Sequence, residues 1–296
     1  AGAMEKRVMA GGLDHLVIVA HDLDQQAALY RRLGFHVGAQ NRHDWGTLNH
    51  IVQFDGCFLE LLSPEDGFQR PARGTPVAQF VDTIVDYLAQ REGLAMMVLE
   101  GFDTDADHRT FRAAGIGFPD TFYFARQARK PDGEAVEVAF SLAFANNKAT
   151  RDAGFFVCQQ HVPEMFWNPA FQVHANGTTG IARIVFASED PAQHAAFFDA
   201  YTGVERAPMP GGGLRYDLAR SAIEIITPAA CAELFGADAL PGPLDTPQFA
   251  AIEFSVDDPR HAVASLIEGD IAFERHGARV VVPASAALGV TLSFAS

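Results

Sequence analysis

The sequence predicts an α+β protein built from four copies of one strand–helix–strand unit. Three observations carry this. An apolar strand, a capped helix and a closing glycine recur four times along the chain. The strand LELLSP at 59–64 lines up with IEIITP at 223–228, which sets Glu60 on Glu224. The chain has 296 residues, 48% hydrophobic and 20% charged, which suits a packed globular protein with length for two domains.

The first copy, residues 13–64, is the clearest. Residues 13–20 form a short apolar run rich in Val and Ile with no helical period, so they read as a strand. Asp22 caps the helix that follows, and Gln25 completes a capping-box pattern. Ala27, Ala28, Leu29 and Leu33 give that helix an apolar side, and Gly34 suits the left-handed position that closes it. Two more apolar runs, 48–54 and 57–62, flank Asp55-Gly56, a strong hairpin signal. With that pair as the turn, Phe54 lies opposite Cys57, Ile51 opposite Glu60 and Asn49 opposite Leu62. Alternate residues share a face. Asn49, Ile51, Gln53, Phe58, Glu60 and Leu62 therefore share one side, and His50, Val52, Phe54, Cys57, Leu59 and Leu61 the other. The second side is mostly apolar and belongs under the helix. The first carries Asn49, Gln53 and Glu60 and is expected to line a cavity. The face of His15 is left open.

The other copies follow the same pattern. Copy two runs from 94–99 through Asp103 or Asp105 and Phe111 to Gly115, and its last strand is read in AVEVAFSLAF. Copy three runs from 181–187 through Asp190-Pro191 to Gly203, with Pro191 at the first helical position, where its missing N–H is harmless. Copy four runs from 249–256 through Asp258-Pro259 to Gly269. Residues 77–90 read as a helix joining the first two copies. The division is then an N-terminal domain at 13–150 (units 13–64 and 94–145), a connector at 151–177, and a C-terminal domain at 178–296 (units 178–228 and 248–296). Long ordered connectors often carry function.

Composition excludes some partners. Net charge is −15, and no basic run is present, which disfavours nucleic acid and anionic membrane. No apolar run approaches the ~20 residues needed to cross a bilayer, and the N-terminus shows no signal-peptide pattern. Cys57, Cys158 and Cys231 are far apart with no CxxC, which favours free thiols and a reducing, cytoplasmic compartment. With 24 Phe against 2 Trp, the core or a pocket is rich in phenyl rings.

The stretch from DHLVIVAHDLD through WGTLN to FLELL, together with CQQHVPEMFWNPAFQVHANG in the connector, resembles the glyoxalase-like branch of the vicinal oxygen chelate superfamily. That superfamily includes glyoxalase I, bleomycin-resistance proteins and extradiol dioxygenases. The resemblance covers 13–180 well; beyond that it rests on the repeat. It implies four βαβββ modules in two pairs, each pair a curled mixed sheet, or half-barrel, with helices outside. It also implies metal ligands on the first and last strands of paired modules, here His15 and Glu60. Sliding Asp22 onto Asp103 puts Met96 at the His15 position of copy two, a poor ligand for a hard divalent ion. Copy three has Arg183 and Glu224 at the two positions. With Ala219-Arg220 as the turn, Arg215 lies opposite Glu224, so arginines pair with that carboxylate in place of a metal. Copy four has Ala251. No metal is expected in the C-terminal half, which argues against the extradiol dioxygenases.

The candidate site is thus Glu60 and His15 as catalytic residues, with His15, Glu60 and His161 as ligands for a divalent ion (Zn, Ni, Mn or Fe) and Asn49, Gln53, Phe58 and Trp167 as substrate-binding residues. A catalytic metal keeps at least three protein ligands; His161 is named third by its chemistry and family likeness. Each residue also has a plain structural reading. His15 suits a hydrogen-bonded core histidine, Trp167 suits packing of the connector, and loop histidines such as His161 and His174 are often solvated. Glu60 is harder to explain that way, because a mid-strand carboxylate among Phe58, Leu59, Leu61 and Leu62 must be compensated. Two functions fit: a glyoxalase-like, metal-assisted lyase or isomerase of a small carbonyl or hydroxy-acid compound, or a metal-free protein that sequesters a small molecule. A single chain or a homodimer could close the cavity.

Overall fold

The computed structural model describes residues 11–130 and 132–296, so the N-terminal stretch read for a signal peptide lies, up to residue 10, outside the described residues. The first unit folds as β1 (Leu13–Val19), α1 (Leu23–Arg32), β2 (Asn41–Arg42), β3 (Thr47–Gln53) and β4 (Phe58–Pro64). The Asp22 carboxylate accepts the Gln25 N–H at 3.0 Å and caps α1. The Asp55-Gly56 turn sets the expected register: Asn49 pairs with Leu62, Ile51 with Glu60 and Gln53 with Phe58. α2 (Pro76–Leu88) leads into the second unit: β5 (Gly93–Glu100), α3 (Thr104–Ala113), β6 (Gly117–Arg129), β7 (Ala135–Ala145) and β8 (Gly154–Gln160).

β8 corrects the sequence reading, which ended this unit at 145 and gave 151–177 to the connector. Residues 154–160 pair in parallel with β5 and antiparallel with β7, so they are the module's closing strand. The connector proper is 161–177.

The third unit is β9 (Thr178–Ala187), α4 (Ala195–Thr202), β10 (Ala207–Pro208), β11 (Leu214–Asp217) and β12 (Ala222–Ile226). α5 (Pro228–Phe235) leads to the fourth: β13 (Gln248–Val256), α6 (Pro259–Glu268), β14 (Glu274–His276), β15 (Arg279–Val282) and β16 (Thr291–Ala295). Gly269 does not take the left-handed position after α6; Asp270 does, at φ 53°. Gly269 serves a close approach, since a Cβ there would lie 2.0 Å from the Arg32 carbonyl oxygen.

The strands form two eight-stranded sheets, ordered β2-β3-β4-β1-β5-β8-β7-β6 and β10-β11-β12-β9-β13-β16-β15-β14. The first curls into a half-barrel. One core joins both sheets through the module helices: Leu29, Tyr30 and Leu33 of the α1 region share a cluster with Phe254, Leu266 and Phe294. The Tyr201 hydroxyl crosses between the halves, donating toward the carbonyls of Met97 (2.9 Å) and Phe156 (2.8 Å). α2 packs on the other face of the first sheet, where Phe80, Val81 and Ile84 meet Val17, Met96 and Phe156. Among the described residues no helix is long and apolar enough to cross a membrane. The three cysteines are buried free thiols.

Candidate functional site

Alternation along β1 settles the face of His15. Leu16 and Ile18 join the shared core, whereas Val17 and Val19 face α2, so His15 looks to the α2 side with Val17. In β4, Phe58 lies beside His15 and Glu60 beside Val17 in the parallel pairing. Phe58 stacks on the His15 ring at 4.4 Å between centroids, and Phe156 meets it edge-on at 5.7 Å.

Two carboxylates bracket the imidazole. Asp14 Oδ2 lies 2.7 Å from His15 Nδ1, and Glu60 Oε2 lies 3.4 Å from His15 Nε2. All three side chains are buried. Gln160 donates to the second Asp14 oxygen at 3.0 Å. Asn49 donates to Glu60 Oε1 at 2.7 Å, and His43 Nε2 stands 3.9 Å from that oxygen. Burial by itself disfavours the imidazolium, but the bonds to Asp14 and Glu60 and their charges outweigh it and raise His15 to about 9. Burial likewise works to raise Glu60, yet His15, His43 and Asn49 hold its carboxyl below the usual range. Asp14 is shifted upward, chiefly by burial. His43 is pushed down to about 4 by burial, so it is neutral at pH 7, with Nδ1 2.8 Å from the Thr47 hydroxyl.

These groups form one wall of a cavity with about 480 Å³ of empty space, its opening included. Trp45, Phe80, Phe124, Phe140, Phe156 and Phe166 supply most of the rest. Every lining residue comes from the N-terminal half or the connector.

Of the residues named from sequence, His15, Glu60, Asn49 and Phe58 meet here. Gln53 and Trp167 border a broader outer groove instead. Gln53 is spent on the connector, donating to the Phe166 carbonyl (2.8 Å) and accepting from the Asn168 N–H (3.1 Å). Trp167 packs against Phe58 and Phe166. His161 is exposed, 2.7 Å from the Ser141 hydroxyl and beside the Tyr123 ring, and takes no part in the cavity. Sequence reasoning missed Asp14, His43, Trp45 and Arg126. The adjacent polar pair Asp14-His15 in an apolar strand was the available signal for the first.

The family model described as a glyoxalase-like domain matches residues 13–202. The chain belongs to the glyoxalase-like domain family. Solved structures share the fold over the whole chain. A hypothetical protein from Staphylococcus aureus superposes with a TM-score of 0.64 at 12% identity, covering 95% of this chain and 98% of its own. A mutant of 4-hydroxymandelate synthase from Streptomyces coelicolor gives 0.57 at 14%, covering 97% and 92%. A fusion of a xylose isomerase-like TIM barrel with 4-hydroxyphenylpyruvate dioxygenase gives 0.56 at 14%, covering 99% of this chain and 49% of the fusion. No curated protein matches the chain in sequence.

The superfamily fold implies a divalent metal, and the donors present do not fit one. Val17 pairs with Glu60 across β1–β4, and Val98 pairs with Phe156 across β5–β8. The counterparts of His15 and Glu60 in the second module of this glyoxalase-like domain are therefore Met96 and Phe156. Neither is a ligand for a hard ion. His161 is elsewhere, and among the described residues no group of three or more His, Cys, Asp or Glu side chains is placed to hold a metal ion.

Proposed function

We propose that this glyoxalase-like protein is a proton-transfer enzyme, a lyase or isomerase that acts on a small carbonyl or hydroxy-acid compound with its own side chains. The observation that supports this is the buried Asp14–His15–Glu60 chain on the wall of an aromatic cavity. His15, charged at neutral pH, places an Nε2–H where a carbonyl oxygen of the ligand can accept it. It thus supplies the positive charge that stabilises an enolate. Glu60, ionised, takes the proton from the adjacent carbon and returns it to product. The 3.4 Å His15–Glu60 contact is long for a hydrogen bond, so a ligand oxygen can replace Glu60 as acceptor at small cost. Asp14 keeps the ring oriented and charged.

A second reading, sequestration of an apolar small molecule, is favoured by Met96 and Phe156 at the two lost ligand positions and by the phenyl-rich wall. Exchange of substrate C–H for deuterium, followed by NMR over a panel of hydroxy ketones and hydroxy acids, separates the readings. Chelator-treated protein should keep full exchange, and Glu60→Gln should slow it at least ~100-fold, as expected for loss of a general base. Loss of exchange on chelation would restore the metal-assisted enzyme. Ligand binding without exchange across the panel would favour sequestration.

A further inference from the structure

The cavity's polar capacity is unevenly used. Its main acceptor, Glu60, is held by Asn49 and faces His15, and His43 Nδ1 lies against the Thr47 hydroxyl. Its spare capacity is in donors. The Trp45 indole N–H is buried and has no partner among the described residues. Arg126, on β6 opposite Val138, stands where the cavity meets the outer groove and borders both. Its guanidinium donates from Nη1 to Asn41 Oδ1 at 3.2 Å and lies 6.0 Å over the Phe140 ring. Arg42, Arg183, Arg215, Arg220 and Arg279 each have a carboxylate within ion-pair distance, whereas Arg126 has none among the described residues. Arg126 is half-buried, so its remaining donors stay open at the cavity mouth, where a ligand oxyanion can take the place of water on them.

A run of side-chain amides ties this cation to the reacting carboxylate. Asn41 accepts from Arg126 and donates to Asn49 Oδ1 at 3.0 Å, and Asn49 donates to Glu60 at 2.7 Å. An anion on Arg126 would thus sit at the far end of a chain that holds Glu60.

We infer that the ligand carries a carboxylate, or an equivalent oxyanion, which pairs with Arg126 at the cavity mouth. Its flat apolar body then lies among Trp45, Phe124 and Phe140, with its carbonyl toward His15 and Glu60. Only the carbonyl end rests on the proposed proton transfer; the anion pairing stands apart from any catalysis.

Calorimetric titration with benzoylformate and its neutral amide, benzoylformamide, tests it, since neither has an exchangeable C–H beside its carbonyl. Wild-type protein should bind the carboxylate at least tenfold more tightly than the amide. Arg126→Met should abolish that preference, and Arg126→Lys should keep part of it. Ligand-free Arg126→Met should melt at or above the wild-type temperature, because a half-buried cation whose only internal ties among the described residues are one long hydrogen bond to Asn41 and the Phe140 face, with no carboxylate, adds little to the fold. The inference is overturned if wild type shows no preference, including no binding of either compound. It is also overturned if Arg126→Met keeps the preference or melts well below wild type. Loss of deuterium exchange in Glu60→Gln tests the proton-transfer reading separately.

Discussion

His15 shows how much one residue's surroundings decide. An ordinary histidine titrates near 6.5, and here the site raises it to about 9. The folded state therefore binds this proton more tightly than the unfolded chain. The stabilisation is fully present below pH 6.5 and is lost as pH rises through about 9. The melting temperature should accordingly fall across that window in wild type and fall less in His15→Ala. Equal slopes in the two proteins would show that His15 is not held charged. Deuterium exchange by the folded protein should instead hold across neutral pH and decline as pH rises through about 9, where His15 itself loses its proton. His15 and Glu60 were legible because a polar residue in a short apolar strand needs compensation, and the hairpin register put Glu60 on a polar face. Arg126 was not, because what sets it apart is the lack of a carboxylate partner among the described residues, and no spacing rule reports an absence. His161 was misplaced because a loop histidine carries no register; in the fold it sits against Ser141, outside the cavity.

At the scale of elements, the connector matters as much as the sheet. Residues 163–172 run over the groove beside the site, and Gln53 holds them with two hydrogen bonds to connector backbone. His174 adds a third tie, its Nε2 2.7 Å from the Gln53 carbonyl. Gln53→Ala removes the side-chain ties and leaves the β3–β4 ladder intact. It should cost about 1–2 kcal/mol of local stability. Faster amide exchange confined to 163–172 would show this, while an unchanged exchange rate there would mean that Phe166 and Trp167 hold the connector by packing alone. The β3–β4 hairpin was readable to the residue because Asp55-Gly56 specifies a two-residue turn. β8 was not. GFFVCQQ lacks alternation and continues without a turn signal into the polar connector, and only its pairing between β5 and β7 reveals it as a strand. Gly269 was assigned to a left-handed cap for want of information on α1, whose Arg32 carbonyl leaves no space for a Cβ.

At the scale of the whole molecule, duplicated modules have been put to different uses. In the first half the sheet face keeps a cavity. In the second half the corresponding face is filled by ion-paired side chains. Arg183 bridges Glu224 and Glu253, each at 2.8 Å. Arg215 also reaches Glu224, at 2.5 Å, as the turn at Ala219-Arg220 predicted. Arg279 reaches Glu253 at 2.6 Å, and the Ser293 hydroxyl donates to the same carboxylate at 2.9 Å. A network whose charges pair internally gives support and leaves little for a ligand. Arg183→Met removes the central cation and leaves two buried carboxylates with one arginine each. Stability should fall by about 3 kcal/mol. Because the sheets share one core and Tyr201 bonds across it, the loss should appear in a single unfolding transition for the whole chain. Separate transitions, with only the second displaced, would show that the halves unfold independently. Ligand affinity at the first-half cavity should stay at the wild-type value below the transition, since every residue lining that cavity precedes the third module.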